Sequence, residues 1–177
     1  ALNRIIDDLL NVNLIESGQP VPMDLQETNF IEIIDKALEF FQLQDSGHVF
    51  RLERPDKLER SMIFVDRHRV NQVFENLLSN AVKYSARGSE IVLTGKLQPE
   101  GWRIEIRDQG IGMNEKQLSR VFDKFYRANP SDKKVSGLGL GMSIVQHIID
   151  AHGGNIQVES TEGKGTTVIF NLPFAAV

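Results

Sequence analysis

Asn76, Asn80 and Lys83 put two amides and an amine on one stripe of an otherwise apolar helical pattern. Residues four and seven apart on a helix project to the same side, while Val73, Phe74, Leu77, Leu78 and Ala81 fill the opposite arc. Asparagine suits a helix interior poorly, because its amide competes for backbone hydrogen bonds. Two of them in register with a lysine therefore suggest a task. Amide oxygens can ligate a hard cation such as magnesium, and a lysine can neutralise phosphate. A solvated polar face on an amphipathic helix would use the same residues, and this segment alone leaves both readings open.

Further segments carry chemistry of the same kind. In Asp108-Gln109-Gly110-Ile111-Gly112-Met113, the glycines permit close approach of a ligand to backbone, and the carboxylate can accept from an exocyclic amine such as adenine N6. A tight turn with an Asp cap is the alternative. Gly137-Leu138-Gly139-Leu140-Gly141-Met142 opens a helix, where free N–H groups and the helix dipole suit a phosphate. Its spacing does not satisfy the dinucleotide fingerprint, and no GxxxxGK[ST] occurs in the chain. Phe122 and Phe125 anchor one end of a polar loop, and Arg127 could reach a terminal phosphate if that loop closes. Gly163-Lys164-Gly165-Thr166 reads as a turn.

The elements that must position these residues follow from periodicity. Leu2, Ile5, Leu9 and Val12 read as the seam of a short bundle or coiled-coil helix, whose partner helices are expected upstream or on another chain; a helix folded back on its own domain is the alternative. Ser17–Pro22 breaks it and reads as a linker. A second helix begins near Asn29, with Asn29 and Glu32 as a capping box. Strands are predicted at His48–Glu53 and Ser61–Val65. Asp66 caps the long helix carrying the asparagines, which ends near Ser85. Strands Glu90–Leu97 and Trp102–Arg107 flank a Gln98–Gly101 turn. Asn114 with Gln117 caps a short helix, Arg127–Ser136 is a mobile loop, and a helix runs from Leu140 to Ala151. Strands at Asn155–Ser160 and Thr166–Asn171 close the chain. Recurrent hairpins favour an α+β, two-layer sandwich: a mixed, mostly antiparallel sheet with helices on one face, plus an N-terminal helix stub.

Composition narrows the function. The 177 residues carry a net charge of −4, which gives no global basic field for nucleic acid. There is no cysteine, hence no disulfide, zinc thiolate or thiol nucleophile. No apolar run spans a bilayer and no signal peptide is visible. The abrupt start without methionine is expected for a fragment of a longer protein.

Each segment is modest alone, but the ordered set resembles a family. Asn76…Asn80-Ala-Val-Lys83-Tyr84 resembles the N box of sensor histidine kinases. Asp108-x-Gly-x-Gly112 resembles the G1 box, Phe122-x-x-Phe125 the F box, Gly137-Leu-Gly-Leu-Gly141 the G2 box and Gly163-x-Gly-Thr166 the last glycine box. The likeness spans about residues 24–173. It implies the Bergerat-type ATP-binding fold shared with DNA gyrase, Hsp90 and MutL. Residues 1–17 would be the end of the second helix of the dimerisation and phosphoacceptor bundle, 18–28 a linker, and 29–177 the catalytic domain.

By the same resemblance, Asn80 would ligate Mg2+ with Asn76 assisting there or near the phosphates. Lys83 would contact phosphate, and Tyr84 would pack beside the nucleoside. Asp108 would hold the adenine amine over a floor shaped by Gly110 and Gly112. Gly137, Leu138, Gly139, Leu140 and Gly141 would bring a lid to the triphosphate of ATP. Arg127 would stabilise the transferring γ-phosphoryl, and Thr166 would support Asp108 through a water. Gln109 stands where the family often has Asn. The family's nucleophile is a histidine followed by an acidic residue on the upstream bundle. None of His48, His68, His147 and His152 has that context. His147 and His152 read instead as favourable charges near a helix C-terminus.

The resemblance thus implies a cytoplasmic kinase domain that binds ATP and phosphorylates a supplied bundle but not itself. Implied partners are that bundle, a response regulator and, in the full-length protein, a second copy. Anchoring of the full-length protein in the inner or plasma membrane is left open. Two rivals remain. One is a gyrase-like or Hsp90-like ATPase, which would carry a glutamate base where Asn76 stands; an amide cannot take a proton from water. The other is a non-catalytic ATP-binding module gating a partner.

Overall fold

The computed structural model describes residues 22–44, 47–55, 61–126 and 139–174. The N-terminal helix stub and residues 18–21 of the linker, Arg127, the polar loop, Gly137 and Leu138 lie outside the described residues. The elements are β1 (Gln26–Asn29), α1 (Phe30–Leu43), β2 (Val49–Glu53), β3 (Met62–Val65), α2 (Arg67–Tyr84), β4 (Glu90–Gln98), β5 (Gly101–Arg107), α3 (Glu115–Leu118), α4 (Gly141–Ala151), β6 (Asn155–Thr161) and β7 (Gly165–Pro173).

Five strands form one sheet in the order β2-β4-β5-β7-β6. Only β2 and β4 run parallel within it; the β4–β5, β5–β7 and β6–β7 pairs are antiparallel. One face of this sheet packs under the helices. Phe30 of α1 lies 5.5 Å from the Trp102 ring of β5, and Phe74 of α2 meets Phe170 of β7 at 5.8 Å. Ile91, Leu93, Ile104, Ile106 and Leu172 complete the strand side of this core, and Ile144, Val145, Ile148 and Ile149 close it from α4. The other face carries a charged ladder in which Glu105 accepts from Arg103 at 2.9 Å and Lys96 at 3.3 Å. The bond from Arg103 leads the lowering of the Glu105 carboxyl pKa. This is the expected sandwich: alternation along β4 and β5 buries one side and wets the other.

The small sheet corrects the sequence reading at its edge. β1 pairs antiparallel with β3, Thr28 opposite Ile63, where periodicity gave no strand. Its residues are polar, and only Thr28 among them is buried. The Asn29 cap also differs in detail. Its side chain accepts from Ile31 N–H at 3.1 Å, and Glu32 meets the Asn29 amide group rather than completing a reciprocal box. Asn29 terminates β1, so the strand sets its backbone orientation. The Asn114–Gln117 box forms in full, with both bonds at 3.0 Å.

His152 overturns a second expectation. It is not an exposed charge at a helix end but a buried clasp, 2% exposed. Its Nδ1 donates to the Ile148 carbonyl at 2.7 Å, and its Nε2 accepts from Asp66 N–H at 3.0 Å. One imidazole thus ties the C-terminus of α4 to the N-terminus of α2, where Asp66 itself caps through Arg69 N–H. Only the neutral ring can accept at Nε2. Burial holds the His152 pKa below the ordinary imidazole value, against the Ile148 bond and Asp66, which raise it. His147 is lowered too, first by burial, with Lys124 and Arg69 adding to the shift and Asp150 opposing it.

The sign follows from linkage. A histidine depressed in the fold binds more protons when unfolded, so its stabilisation is complete above the ordinary imidazole pKa and is lost as pH falls through the folded value. Urea unfolding between pH 7.5 and 5 is expected to show stability falling with acidity, with a smaller slope in His152→Gln. An equal slope in the variant would remove His152 from that account.

Candidate nucleotide site

Three elements converge on the stripe that opened the sequence. α2 is capped by Asp66 and ends at Tyr84, and its apolar arc of Val70, Val73, Phe74, Leu77, Leu78 and Ala81 is buried. That burial turns the opposite stripe outward. Asn80, Lys83 and Tyr84 are half-buried along it, whereas Asn76 is 4% exposed. The start of α4 covers Asn76: a Cβ on Gly141 would stand 3.4 Å from Asn76 Oδ1. Any larger side chain at residue 141 would press on that amide. Among the described residues α4 has no side-chain cap at its N-terminus, and the first N–H groups of a helix, here at the end nearest Asn76, have no intrahelical partner. Leu140 is buried at the entry, and its carbonyl accepts from Ser143 Oγ at 2.8 Å.

The second element is the turn after β5. Ile111 N–H donates to the Tyr84 carbonyl at 3.1 Å, which pins the turn to the end of α2. Gly110 lies under the same carbonyl: a Cβ there would come within 2.5 Å of Tyr84 O and 2.7 Å of Asp108 Oδ1. Gly112 lies against the Thr161 carbonyl, with no room for a Cβ. Lys83 Nζ sits 5.2 Å from the Tyr84 ring centroid, a cation–π contact at the same corner.

Asp108 occupies the centre of that corner. It is 9% exposed. Its Oδ1 accepts from Gly110 N–H at 2.7 Å and from Thr166 N–H at 3.3 Å, and its own N–H donates to Thr166 O at 2.9 Å. Burial raises the Asp108 carboxyl pKa, and the Gly110 and Thr166 bonds pull it back. Both backbone bonds fall on Oδ1, so the side chain is oriented and Oδ2 remains an acceptor. Thr166 therefore supports Asp108 through its backbone.

The third element is the segment before residue 127. Gly139 packs on it: a Cβ would lie 2.7 Å from Tyr126 O and 2.8 Å from the Phe125 carbonyl carbon. Phe125 itself has φ of 60°, a strained value for an aromatic residue, and the residue is 58% exposed. Arg120 stacks on Tyr126 at 4.3 Å.

The structure thus brings together Asn76, Asn80, Lys83, Tyr84, Asp108, Gly110, Gly112, Leu140, Gly141 and Thr166 along one side of α2 and its flanking turns. Arg127, Gly137 and Leu138 lie outside the described residues. Sequence reasoning missed Ser160, whose Oγ takes part in three contacts beneath this corner. Its only signal was a hydroxyl at the end of a strand beside a glycine-rich turn.

Among the described residues, no group of three or more His, Cys, Asp or Glu could hold a metal ion. The donors available at the stripe are amides. That set fits magnesium, which commonly takes one or two protein ligands and fills its sphere with phosphate and water.

A sandwich of this topology, with a polar stripe on the helix, a glycine-bounded buried carboxylate and a glycine-opened second helix, defines an ATP-binding fold class. Comparison makes the assignment. Residues 65–176 match the model of the histidine kinase-, DNA gyrase B- and HSP90-like ATPase family, and the chain belongs to that family. It is 32% identical over 175 residues to the sensor histidine kinase WalK of Bacillus subtilis, covering 97% of this chain and 28% of that protein. The chain therefore spans under a third of that relative's length. The catalytic domain of histidine kinase ThkA superposes with a TM-score of 0.74 at 27% identity, covering 87% of this chain and 98% of that one. A complex of ThkA with the response regulator protein TrrA shares the fold at 24% identity and a TM-score of 0.74, over 99% of this chain and 49% of that one. The chain is thus a histidine-kinase type of ATPase domain.

Proposed function

We propose that this domain binds ATP with Mg2+ and transfers the γ-phosphoryl group to a histidine on a helical bundle of the same protein. The observation that carries the reading is the Asn76 amide seated against the glycine-opened start of α4, one helix stripe away from the buried Asp108 corner. Phosphoryl transfer needs positioning and charge neutralisation more than covalent help from the protein.

In this reading Asp108 and Thr166 hold the adenine end, and Tyr84 packs beside the nucleoside. Lys83 faces the phosphates, and the first N–H groups of α4 offer a favourable end of the helix dipole. Asn80, assisted by Asn76, would hold Mg2+, which supplies neutralisation of phosphate charge when bound. Arg127 and the glycine run from Gly137 to Gly141 would close over the triphosphate, Arg127 stabilising the transferring group. Residues 1–17 as a piece of the bundle, a response regulator as the downstream partner, a homodimeric full-length protein and a cytoplasmic location of this domain belong to the same proposal. The response regulator in the ThkA complex supports that partner class. No helix among the described residues is long and apolar enough to cross a membrane.

Asn76 separates this reading from a hydrolytic one. A general base must remove a proton from water, and an amide cannot. Incubation with radiolabelled ATP and a matching helical bundle is expected to give phosphohistidine, with hydrolysis in the absence of bundle near background. Asn80→Ala is expected to lower transfer by about 100-fold, in line with loss of an electrostatic contact to the transferring group. Rapid hydrolysis without the bundle, abolished by Asn80→Ala, would point instead to an ATPase. Nucleotide binding with no phosphohistidine would point to a gating module.

A further inference from the structure

We propose that Ser160 is a positioning residue for reading the base: it commits the Thr166 hydroxyl proton inward, so that Thr166 presents only lone pairs beside the Asp108 carboxylate. The inference rests on the nucleotide reading above.

The argument is one of counting protons. A serine hydroxyl has one proton and two lone pairs. Ser160 Oγ lies 3.0 Å from the Gly165 carbonyl oxygen, which can only accept, and we assign the Ser160 proton to that bond. Met113 N–H donates to the same Oγ at 2.9 Å. Thr166 Oγ1 also lies 3.0 Å from it. On that assignment Thr166 is the donor in the Ser160–Thr166 contact. Ser160 is then fully satisfied, and Thr166 Oγ1 has spare lone pairs but no spare proton.

Thr166 is held beside Asp108 by two backbone bonds, its N–H to Oδ1 at 3.3 Å and its carbonyl from Asp108 N–H at 2.9 Å. Among the described residues, Asp108 Oδ2 accepts no bond, since both of its acceptor contacts fall on Oδ1. Asp108 and Thr166 together therefore offer acceptors and no hydroxyl proton. A purine with an amino group at position 6 matches such a surface. A purine with a 6-oxo group sets acceptor against acceptor. A threonine free to rotate could donate to the oxo group and blur the distinction. Ser160 removes that freedom, and it binds the Met113 side of the corner to the Gly165 turn with the same atom.

Calorimetric titration of the 177-residue chain with ATP and with inosine triphosphate, both in magnesium, tests this. The unsubstituted chain is expected to prefer ATP. Ser160→Ala is expected to reduce that preference about fivefold, the worth of one neutral hydrogen bond. Ser160→Thr, which keeps the hydroxyl, is expected to retain it. Thr166→Ala should reduce the preference similarly, and the double variant should show no further loss, as for two residues acting through one contact. Thr166→Ala leaves Ser160 in place and so carries the test if Ser160→Ala fails to fold. Affinities for both nucleotides falling in equal proportion, or an unchanged preference in Ser160→Ala or Thr166→Ala, would overturn the proposal while leaving the nucleotide reading intact. An unsubstituted chain with no preference for ATP would remove the base assignment and this inference with it.

Discussion

Asp108→Asn is expected to remove nearly all ATP affinity while leaving the fold as stable as before. The asparagine keeps one carbonyl oxygen, which can take over the Gly110 and Thr166 N–H bonds now made to Oδ1. Its amide nitrogen then occupies the place of Oδ2 and sets a donor against the adenine amine. Loss of a hydrogen bond to a charged acceptor costs about 1.5–3 kcal/mol, and the donor–donor contact adds to it, so affinity should fall on the order of 100-fold. Stability should not follow. Burial already disfavours the charged carboxylate, as the raised Asp108 pKa records, so a neutral isostere avoids a desolvation cost. Calorimetry for binding and thermal unfolding for stability separate the two effects. Unchanged affinity would refute the adenine assignment, and collapse of the fold would make Asp108 a structural residue.

Gly165→Ala is expected to be strongly damaging, and Gly163→Ala clearly milder. Both glycines lie in the same turn and both have left-handed backbone, φ of 93° at Gly165 and 76° at Gly163. They differ in surroundings. A Cβ on Gly163 meets nothing within 4 Å, whereas on Gly165 it would overlap the Asp108 carbonyl oxygen. The left-handed backbone alone costs an alanine about 1–2 kcal/mol. At Gly165, overpacking against backbone adds about 1–3 kcal/mol. Gly165→Ala should therefore lower Tm by roughly 5–15 °C, against roughly 2–6 °C for Gly163→Ala. It should also weaken ATP binding, because the displaced atom belongs to Asp108. Equal Tm shifts for the pair would show that the close approach is not felt in solution.

These two glycines illustrate what was legible. Both stand in Gly163-Lys164-Gly165-Thr166, a turn in any reading of the chain. Which one abuts the Asp108 backbone carbonyl is a fact about β5 and β7 lying side by side, Arg107 opposite Thr167. The same division runs through the fold. Asp66 as a cap, the end of α2 at Tyr84 and the Pro99-Glu100 hairpin turn were readable because each signal is local: a side chain or ring acting on its own backbone. β1 was not readable, because Gln26-Glu27-Thr28-Asn29 has no apolar alternation and is a strand through its pairing with β3. His152 was misread for a related reason. Near a helix end an exposed histidine is a welcome charge, but α4 ends against the start of α2, and Asp66 N–H needs an acceptor there.

Residue type, spacing and order therefore determined by themselves the fold class, the polar stripe of α2 and the family whose boxes run from Asn76 to Thr166. These are properties of single elements and their succession, governed by helical period and glycine placement. Tertiary structure alone decided how the stripe is completed: Gly141 over Asn76, Tyr84 carbonyl over the Gly110 turn, Thr166 backbone on Asp108, and Ser160 beneath them. Those contacts join residues up to 65 positions apart, as between Asn76 and Gly141, and a hydrogen bond or close approach across such a distance depends on packing that no local pattern encodes.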